Sequence, residues 1–161
     1  MTIKVGDKIP SVSLATMGAE GPKPVATDEF FKGRKVVVFG LPGAFTPTCS
    51  KQHLPGFVRN AEALRKKGVD AIACVSVNDV FVMDAWGKDL KVGDKVAMLA
   101  DGSADFAKAT GLQLDLTGRG MGMRSQRYSM VVDNGVVKKL DIESNPGACD
   151  VSSAEHILQG I

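Results

Sequence analysis

The pattern of apolar positions predicts a strand, a helix and a second strand in the first half of the chain. Residues 35–41 form a short, β-branched run that ends at Pro42, which is typical of a buried strand stopped by a turn. Residues 71–77 form a continuous run of small and apolar residues, as expected for a strand covered on both faces. Helically spaced apolar residues lie between these runs, and Gly68 follows them as a C-terminal cap. We therefore expect a right-handed βαβ unit.

The predicted helix of this unit contains a proline. Its helically spaced apolar residues are Leu54, Phe57, Val58, Ala61 and Leu64. Because proline removes a backbone donor and crowds the preceding turn, we expect Pro55 to kink the helix.

The next stretch alternates between helical and extended patterns. A helix is predicted over residues 79–90, a strand over 95–100, and a short helix over 104–110 that Gly111 closes. Residues 113–123 are glycine-rich and aperiodic, so they are predicted to form a loop.

The chain ends with a predicted hairpin and a helix. Residues 128–132 and 136–142 flank Asp133-Asn134-Gly135, whose turn residues tolerate positive φ. The sequence from Ser152 to Glu155 supplies a capping box for a last helix that runs through Leu158. Residues 1–34 suggest short strands or a hairpin. This order predicts an α/β, thioredoxin-like fold: a mixed central sheet flanked by helices, with N-terminal additions.

Composition narrows the class of protein. With 161 residues, of which 44% are hydrophobic, residues 1–161 are expected to form one domain. The net charge of +2 comes from interspersed charges, which indicates neither a nucleic-acid partner nor a membrane surface. Three cysteines do not make a disulfide framework, and no signal segment is recognisable. A reducing, cytoplasmic setting is the expectation.

Cys49 lies at the junction between the first predicted strand and the helix that follows it. Thr46 and Pro47 suit the N-cap and first helical positions, so Cys49 falls in the first turn. Free N–H groups and the helix dipole favour an anion there, and the thiolate is the reactive form of cysteine. A dipole effect of about 1 kcal/mol is worth less than one pKa unit. We therefore expect an arginine beside this sulfur, and we expect the sulfur to be open to solvent.

The segment around Cys49 resembles the active site of the peroxiredoxins, in particular the type II branch. The sequence P-G-A-F-T-P-T-C-S is followed by K-Q-H-L-P-G-F, and the family pattern P-x-x-x-T-x-x-C falls on Pro42, Thr46 and Cys49. The resemblance extends through V-S-V-N-D at 75–79 and R-Y-S-M-V-V at 127–132. It covers nearly the whole chain.

The resemblance implies a thiol peroxidase that reduces hydrogen peroxide and alkyl hydroperoxides. Cys49 would attack the peroxide and become a sulfenic acid. Arg127 corresponds to the family's active-site arginine and, with Thr46 and the Cys49 N–H, would stabilise the developing charge. Arg124 would support or replace Arg127, and Pro42 would shield the thiolate from water.

His53 lies one helical turn after Cys49. A Cys-His pair can indicate a hydrolase or a metal site, yet catalytic pairs normally come from different elements, and the spacing of cysteines and histidines predicts no metal site. We expect a packed or hydrogen-bonding histidine, which the resemblance places in the surroundings of the active site. No cofactor is expected.

Recycling of the sulfenic acid is the step that the sequence determines least. Cys74 lies within a strand and is expected in the core, whereas Cys149 lies in the loop before the last helix and is a possible resolving cysteine. The default is an external thiol: glutathione, glutaredoxin or thioredoxin. The resemblance also implies a homodimer, with Phe45 and residues 79–86 as the expected contact.

Two other functions remain open. A thiol-disulfide oxidoreductase on the same fold would need a second cysteine three residues from Cys49, where Thr46 and Gln52 stand. A non-catalytic thioredoxin-like binding or chaperone module would not need Thr46, Cys49 and Arg127 together.

Overall fold

A computed structural model describes residues 1–161 and contains nine strands, six α-helices, a π-helical turn and a 3₁₀ turn. The strands are β1 (Ser13–Gly18), β2 (Gly21–Ala26), β3 (Lys35–Leu41), β4 (Ala71–Ser76), β5 (Ala97–Ala100), β6 (Gln113–Leu116), β7 (Gly122–Ser125), β8 (Tyr128–Asp133) and β9 (Val136–Ile142). The helices are α1 (Thr27–Phe30), α2 (Leu54–Arg59), α3 (Ala61–Lys66), α4 (Val80–Asp89), α5 (Asp105–Thr110) and α6 (Ala154–Gly160). The π-helical turn is Cys49–His53, and the 3₁₀ turn is Thr117–Arg119. None of the helices combines the length and the apolar character needed to cross a membrane.

The main sheet has seven strands in the order β2-β1-β5-β4-β3-β8-β9. Strands β3, β4 and β5 are parallel, and the pairs β1–β2, β1–β5, β3–β8 and β8–β9 are antiparallel. This arrangement confirms the predicted mixed sheet, the parallel β3–β4 pair, the C-terminal hairpin and the N-terminal hairpin. Asn134 and Gly135 both have positive φ in the β8–β9 turn, as their residue types predict.

The two faces of the sheet carry separate apolar cores. Alternate side chains of β3 go to opposite faces, as the period of a strand requires. Phe39 and Leu41 pack with α2, α3, α4 and α6, whereas Val36 and Val38 pack with α5 and the N-terminal segment. Cys49 belongs to the first of these cores.

The predicted single helix after Cys49 consists of three segments. The π-helical turn leads into α2, and Asn60 separates α2 from α3 with a non-helical ψ of 8°. Pro55 lies in the first turn of α2, where its missing N–H costs least. The expected kink at Pro55 is wrong: the widened turn precedes the proline, with Leu54 N donating to Cys49 O, and the break follows it at Asn60.

Two further predictions are wrong. The expected loop over 113–123 contains the paired strands β6 and β7, which form a small second sheet that runs to Ser125. The last helix is capped by Ser153 rather than Ser152, since Ser153 Oγ accepts from His156 N. Ser152 instead donates its hydroxyl to Glu143.

Candidate active site

Two neighbouring strands bring Cys49 and Arg127 to one edge of the sheet. Strand β3 ends at Leu41, and β8 pairs with it in the register Gly40 to Tyr128. A Cβ atom at Gly40 would overlap the Tyr128 ring, so glycine permits this close pairing. Arg127 comes immediately before β8 and therefore lies beside the segment that follows β3. The carboxyl ends of parallel strands are the usual place for sites in α/β sheets.

The Cys49 thiol is enclosed. Helical structure begins at Pro47, so Cys49 lies in the first turn as predicted, and it begins the π-helical turn. Cys49 is 0% exposed, contrary to the expectation of a sulfur open to solvent. A substrate must therefore be small or must enter through a local opening.

Arg127 is 2% exposed, and its guanidinium donates hydrogen bonds to three acceptors. Nη2 donates to Cys49 Sγ at 3.1 Å, Nη1 to His53 Nδ1 at 3.0 Å, and Nε to the carbonyl oxygen of Pro146 at 2.8 Å. Guanidinium remains charged in proteins, so a permanent cation lies against the thiol sulfur. The expected arginine is present, and it is Arg127.

His53 holds this arginine as a neutral imidazole. Because guanidinium has only donors, Nδ1 of His53 accepts from Arg127, and Nε2 carries the proton that it donates to the Ser152 carbonyl at 3.0 Å. Burial and then the charge of Arg127 lower the pKa of His53 to about 3, against a smaller opposing effect of the Ser152 hydrogen bond. The positive charge at the site is therefore that of Arg127.

Thr46 lies beside the site but does not cap the helix through its side chain. Its hydroxyl donates to Gly43 O at 2.7 Å, and its own carbonyl accepts from Ser50 N at 2.9 Å. The N-cap position is as predicted, whereas the expected side-chain cap is wrong. Since the hydroxyl proton is engaged, the lone pairs of Thr46 Oγ1 are left to accept another hydrogen bond.

Pro42 begins the segment between β3 and Cys49, and Arg124 contacts this segment. Pro42 is buried, and Arg124 Nη1 is 3.4 Å from its carbonyl oxygen. Arg124 Nε donates to Met121 O at 2.9 Å. A Cβ atom at Gly43 would be 2.8 Å from Arg124 Nη1, so glycine leaves room for this second guanidinium. Arg124 is thus near the site but has no hydrogen bond to the sulfur.

The other two cysteines have different surroundings. Cys74 is fully buried within β4, as predicted, and burial raises the pKa of its thiol well above the ordinary value. Cys149 is half-buried before α6, where burial raises the pKa of its thiol against the opposing effects of Arg127 and Ser152. All three cysteines are free thiols.

Sequence reasoning missed the backbone acceptors of the site. The carbonyl groups of Pro146 and Ser152 orient Arg127 and His53, and Thr48 Oγ1 donates to Gly147 O at 2.7 Å. Any residue type supplies a carbonyl, so no residue pattern marks these positions. Ser50 was also missed: its hydroxyl accepts from the buried indole N–H of Trp86 at 3.1 Å and ties the π-helical turn to α4.

A thioredoxin-like fold with a thiol at a helix start, hydrogen-bonded to a buried guanidinium, defines a protein of thiol redox chemistry. A family model described as Redoxin matches residues 4–158. Rice (Oryza sativa subsp. japonica) peroxiredoxin-2E-2, chloroplastic, is 50% identical over 165 residues, 99% of this chain and 73% of that protein. Peroxiredoxin-2D of Arabidopsis thaliana is 44% identical over 160 residues, 99% of this chain and 98% of that protein.

A solved structure extends this similarity to three dimensions. The crystal structure of reduced Prx3 in complex with hydrogen peroxide from Vibrio vulnificus has a TM-score of 0.94 and 50% identity, over 99% of each chain. The present chain therefore belongs to the redoxin family and, within it, to the type II peroxiredoxins. It is a thiol peroxidase, an oxidoreductase that acts on peroxides.

Proposed function

We propose that Cys49 is the peroxidatic nucleophile and that Arg127 is its electrostatic partner. The 3.1 Å contact between Arg127 Nη2 and Cys49 Sγ carries this assignment, since it places a permanent cation against the sulfur. Charge-assisted hydrogen bonds of this kind favour the thiolate over the thiol.

The reaction follows from these groups. The Cys49 thiolate attacks the near oxygen of a hydroperoxide, an S–O bond forms, and the O–O bond breaks. The sulfur is oxidised to sulfenic acid, and the far oxygen takes the bonding pair and a proton and leaves as water or an alcohol. Arg127 and the Cys49 backbone N–H stabilise the charge that develops on the oxygens. Thr46 Oγ1, whose proton is donated to Gly43 O, accepts a hydrogen bond from the peroxide O–H.

Pro42 and Arg124 have supporting roles in this proposal. Pro42 is buried directly after β3, and in this proposal it keeps water from the thiolate. Arg124 contacts the Pro42 carbonyl and adds positive charge next to the segment between β3 and Cys49. The enclosed sulfur fits a substrate as small as hydrogen peroxide, and the Vibrio vulnificus relative has been crystallised with that molecule.

Recycling is assigned to an external thiol. The family uses thioredoxin-type reductants, and glutathione, glutaredoxin and thioredoxin are the specific candidates. The reductant's sulfur attacks the sulfenic sulfur, water leaves, and a second thiol then reduces the mixed disulfide. Cys149 is the less favoured resolving residue, because burial raises the pKa of its thiol and so lowers its thiolate fraction.

Peroxide consumption with each reductant supplied in turn tests this proposal. Cys49→Ser is expected to abolish turnover, because the hydroxyl is a far weaker nucleophile than a thiolate. Cys149→Ser, the matched control, is expected to keep glutathione-dependent turnover. Activity of Cys49→Ser near that of the wild type would refute the role of Cys49. A sulfenic acid that accumulates in Cys149→Ser would make Cys149 the resolving cysteine.

The same proposal includes a homodimer, a cytoplasmic location and a single domain. Phe45 and Phe81 are 54% and 64% exposed, and both lie in the predicted contact. Phe45 also has a positive φ of 65°, an uncommon conformation for a bulky residue. Three free thiols suit a reducing compartment. The Redoxin match over 4–158 supports one domain.

A further inference from the structure

The loop between β9 and α6 supplies three carbonyl groups to the active site. Pro146 O accepts from Arg127 Nε at 2.8 Å, and Ser152 O accepts from His53 Nε2 at 3.0 Å. Gly147 O accepts at 2.7 Å from the hydroxyl of Thr48, the neighbour of Cys49 in the chain. We call residues 143–153 the anchoring loop. Its conformation therefore sets the position of the site's donors.

A single carboxylate oxygen holds this loop. Glu143 Oε2 accepts from Asp150 N at 2.6 Å, from Ser152 N at 2.8 Å and from Ser152 Oγ at 2.7 Å. Glu143 also donates its backbone N–H to Arg127 O at 2.9 Å, so the start of the loop is fixed to the backbone of the arginine. The residue is buried, with 7% of its surface exposed.

The charge of Glu143 suits this role. Burial raises the pKa of the Glu143 carboxyl, but the hydrogen bonds from Ser152 and Asp150 and the charge of Arg127 outweigh burial, and the net pKa is below the ordinary value. The carboxylate is therefore ionised at neutral pH, and its three hydrogen bonds are charge-assisted.

We propose that Glu143 is a positioning residue for the peroxidase reaction: through the anchoring loop it fixes the direction in which Arg127 presents its guanidinium to Cys49. The inference rests on the proposed roles of Cys49 and Arg127. Glu143 does not touch the sulfur, and it acts on the arginine through the Pro146 carbonyl and its own backbone N–H. A displacement of a catalytic group by a fraction of an ångström weakens its contact with the reacting atoms.

Glu143→Gln tests this role, because it keeps the shape of the side chain and removes its charge. We expect the second-order rate constant for hydrogen peroxide to fall about tenfold, between no effect and the hundredfold loss that a full misplacement can cause. Glu155→Gln is the matched control: it removes a carboxylate whose side chain is 54% exposed on α6, and the rate should stay within twofold of the wild type. Ser152→Ala removes one of the three hydrogen bonds and should give a smaller loss in the same direction.

Two readouts separate positioning from general stabilisation. The pH profile of iodoacetamide alkylation at Cys49, measured in a Cys149→Ser background, should move to higher pH in Glu143→Gln. Arg127 contacts the Cys49 sulfur, His53 is hydrogen-bonded to Arg127, and Cys74 is close enough to Cys49 for their charges to interact. The pKa of His53 is about 3 and that of Cys74 is well above the usual range, so neither group titrates near neutral pH and distorts the profile. In an Arg127→Lys background, Glu143→Gln should cost less than twofold, because the two changes act on one contact.

The outcomes are decisive in either direction. Equal losses in the wild-type and Arg127→Lys backgrounds, or an unchanged rate and alkylation profile in Glu143→Gln, would overturn the positioning role. If Glu143→Gln does not fold, an unchanged alkylation profile in Ser152→Ala overturns it instead. Full activity of Cys49→Ser would mean that the proposed function has failed, whatever Glu143 does.

Discussion

Replacing Arg127 by lysine is the sharpest test of the site. The guanidinium makes three hydrogen bonds with three different nitrogens, to Cys49, His53 and Pro146. An ammonium group is one nitrogen on a flexible stem and does not span three acceptors in these directions. Arg127→Lys therefore keeps the positive charge but loses the fixed contact with the sulfur.

The size of the effect follows from the geometry. The contact with Cys49 is 3.1 Å long and fully buried, so it acts where solvent screening is weak. Removing one donor that stabilises developing negative charge typically costs about 2.7–4 kcal/mol, or roughly 100- to 1,000-fold in rate. We expect a loss of this size in the rate constant of Arg127→Lys with hydrogen peroxide.

The assay can follow the peroxide step directly. Trp86, the single tryptophan, donates its indole N–H to Ser50, which follows Cys49 in the π-helical turn. Oxidation of Cys49 should therefore change the tryptophan fluorescence in a stopped-flow experiment without added reductant. Cys49→Ser should give no peroxide-dependent signal. Arg59→Lys, at a side chain that is 64% exposed, is the control for the substitution itself and should react like the wild type.

One result would contradict this reasoning. If Arg127→Lys folds and reacts within threefold of the wild type, the fixed guanidinium does not stabilise the transition state. The catalytic acceleration would then have to come from Arg124 or from backbone donors, and Arg124→Lys should show the larger loss.

Local sequence patterns were sufficient to predict most of the fold. Strands β3 and β4 are continuous apolar runs, and the β8–β9 turn depends on Asn134 and Gly135, so each is encoded within a few residues. The pairing of β6 with β7 is different. It is a backbone ladder between short segments joined by a glycine-containing turn, and neither segment has the continuous apolar run of a core strand. Strand β6 does alternate polar and apolar residues, as a strand with one covered face does, but over only four residues, and the glycines that follow favoured a loop.

A tertiary contact explains why the predicted N-cap of the last helix was wrong. Ser152 and Ser153 are both good N-cap residues, and the capping-box spacing favours Ser152. In the structure Glu143, nine residues earlier in the chain, accepts the Ser152 hydroxyl and N–H, so Ser153 becomes the cap. The same long-range contact explains why the site was only partly predictable. The family pattern predicted that Cys49 and Arg127 lie together, and the structure places Arg127 Nη2 3.1 Å from Cys49 Sγ. The carbonyls that orient Arg127, however, depend on a loop whose anchor lies outside the pattern.

Two further predictions concern assembly and acid stability. In sedimentation experiments the wild type should have about twice the mass of one chain, and Phe81→Glu should be monomeric. Val5→Glu is the control, at a residue 57% exposed in the N-terminal segment, and it should remain dimeric. A monomeric wild type contradicts the proposed dimer. The pKa of His53 is about 3 in the folded protein, against an ordinary value of 6.5 in the unfolded chain. Between pH 6.5 and pH 3 the unfolded chain therefore binds a proton at His53 that the folded protein does not bind. The free energy of unfolding consequently falls as the pH falls through this range. Urea unfolding should show that the wild type loses about 3 kcal/mol more than His53→Asn between pH 7 and pH 4. Equal losses would mean that the pKa of His53 in the folded protein is close to the ordinary 6.5. The buried imidazole would then take up a proton below pH 6.5 at no cost in stability, which a hydrogen-bond acceptor held against Arg127 cannot do.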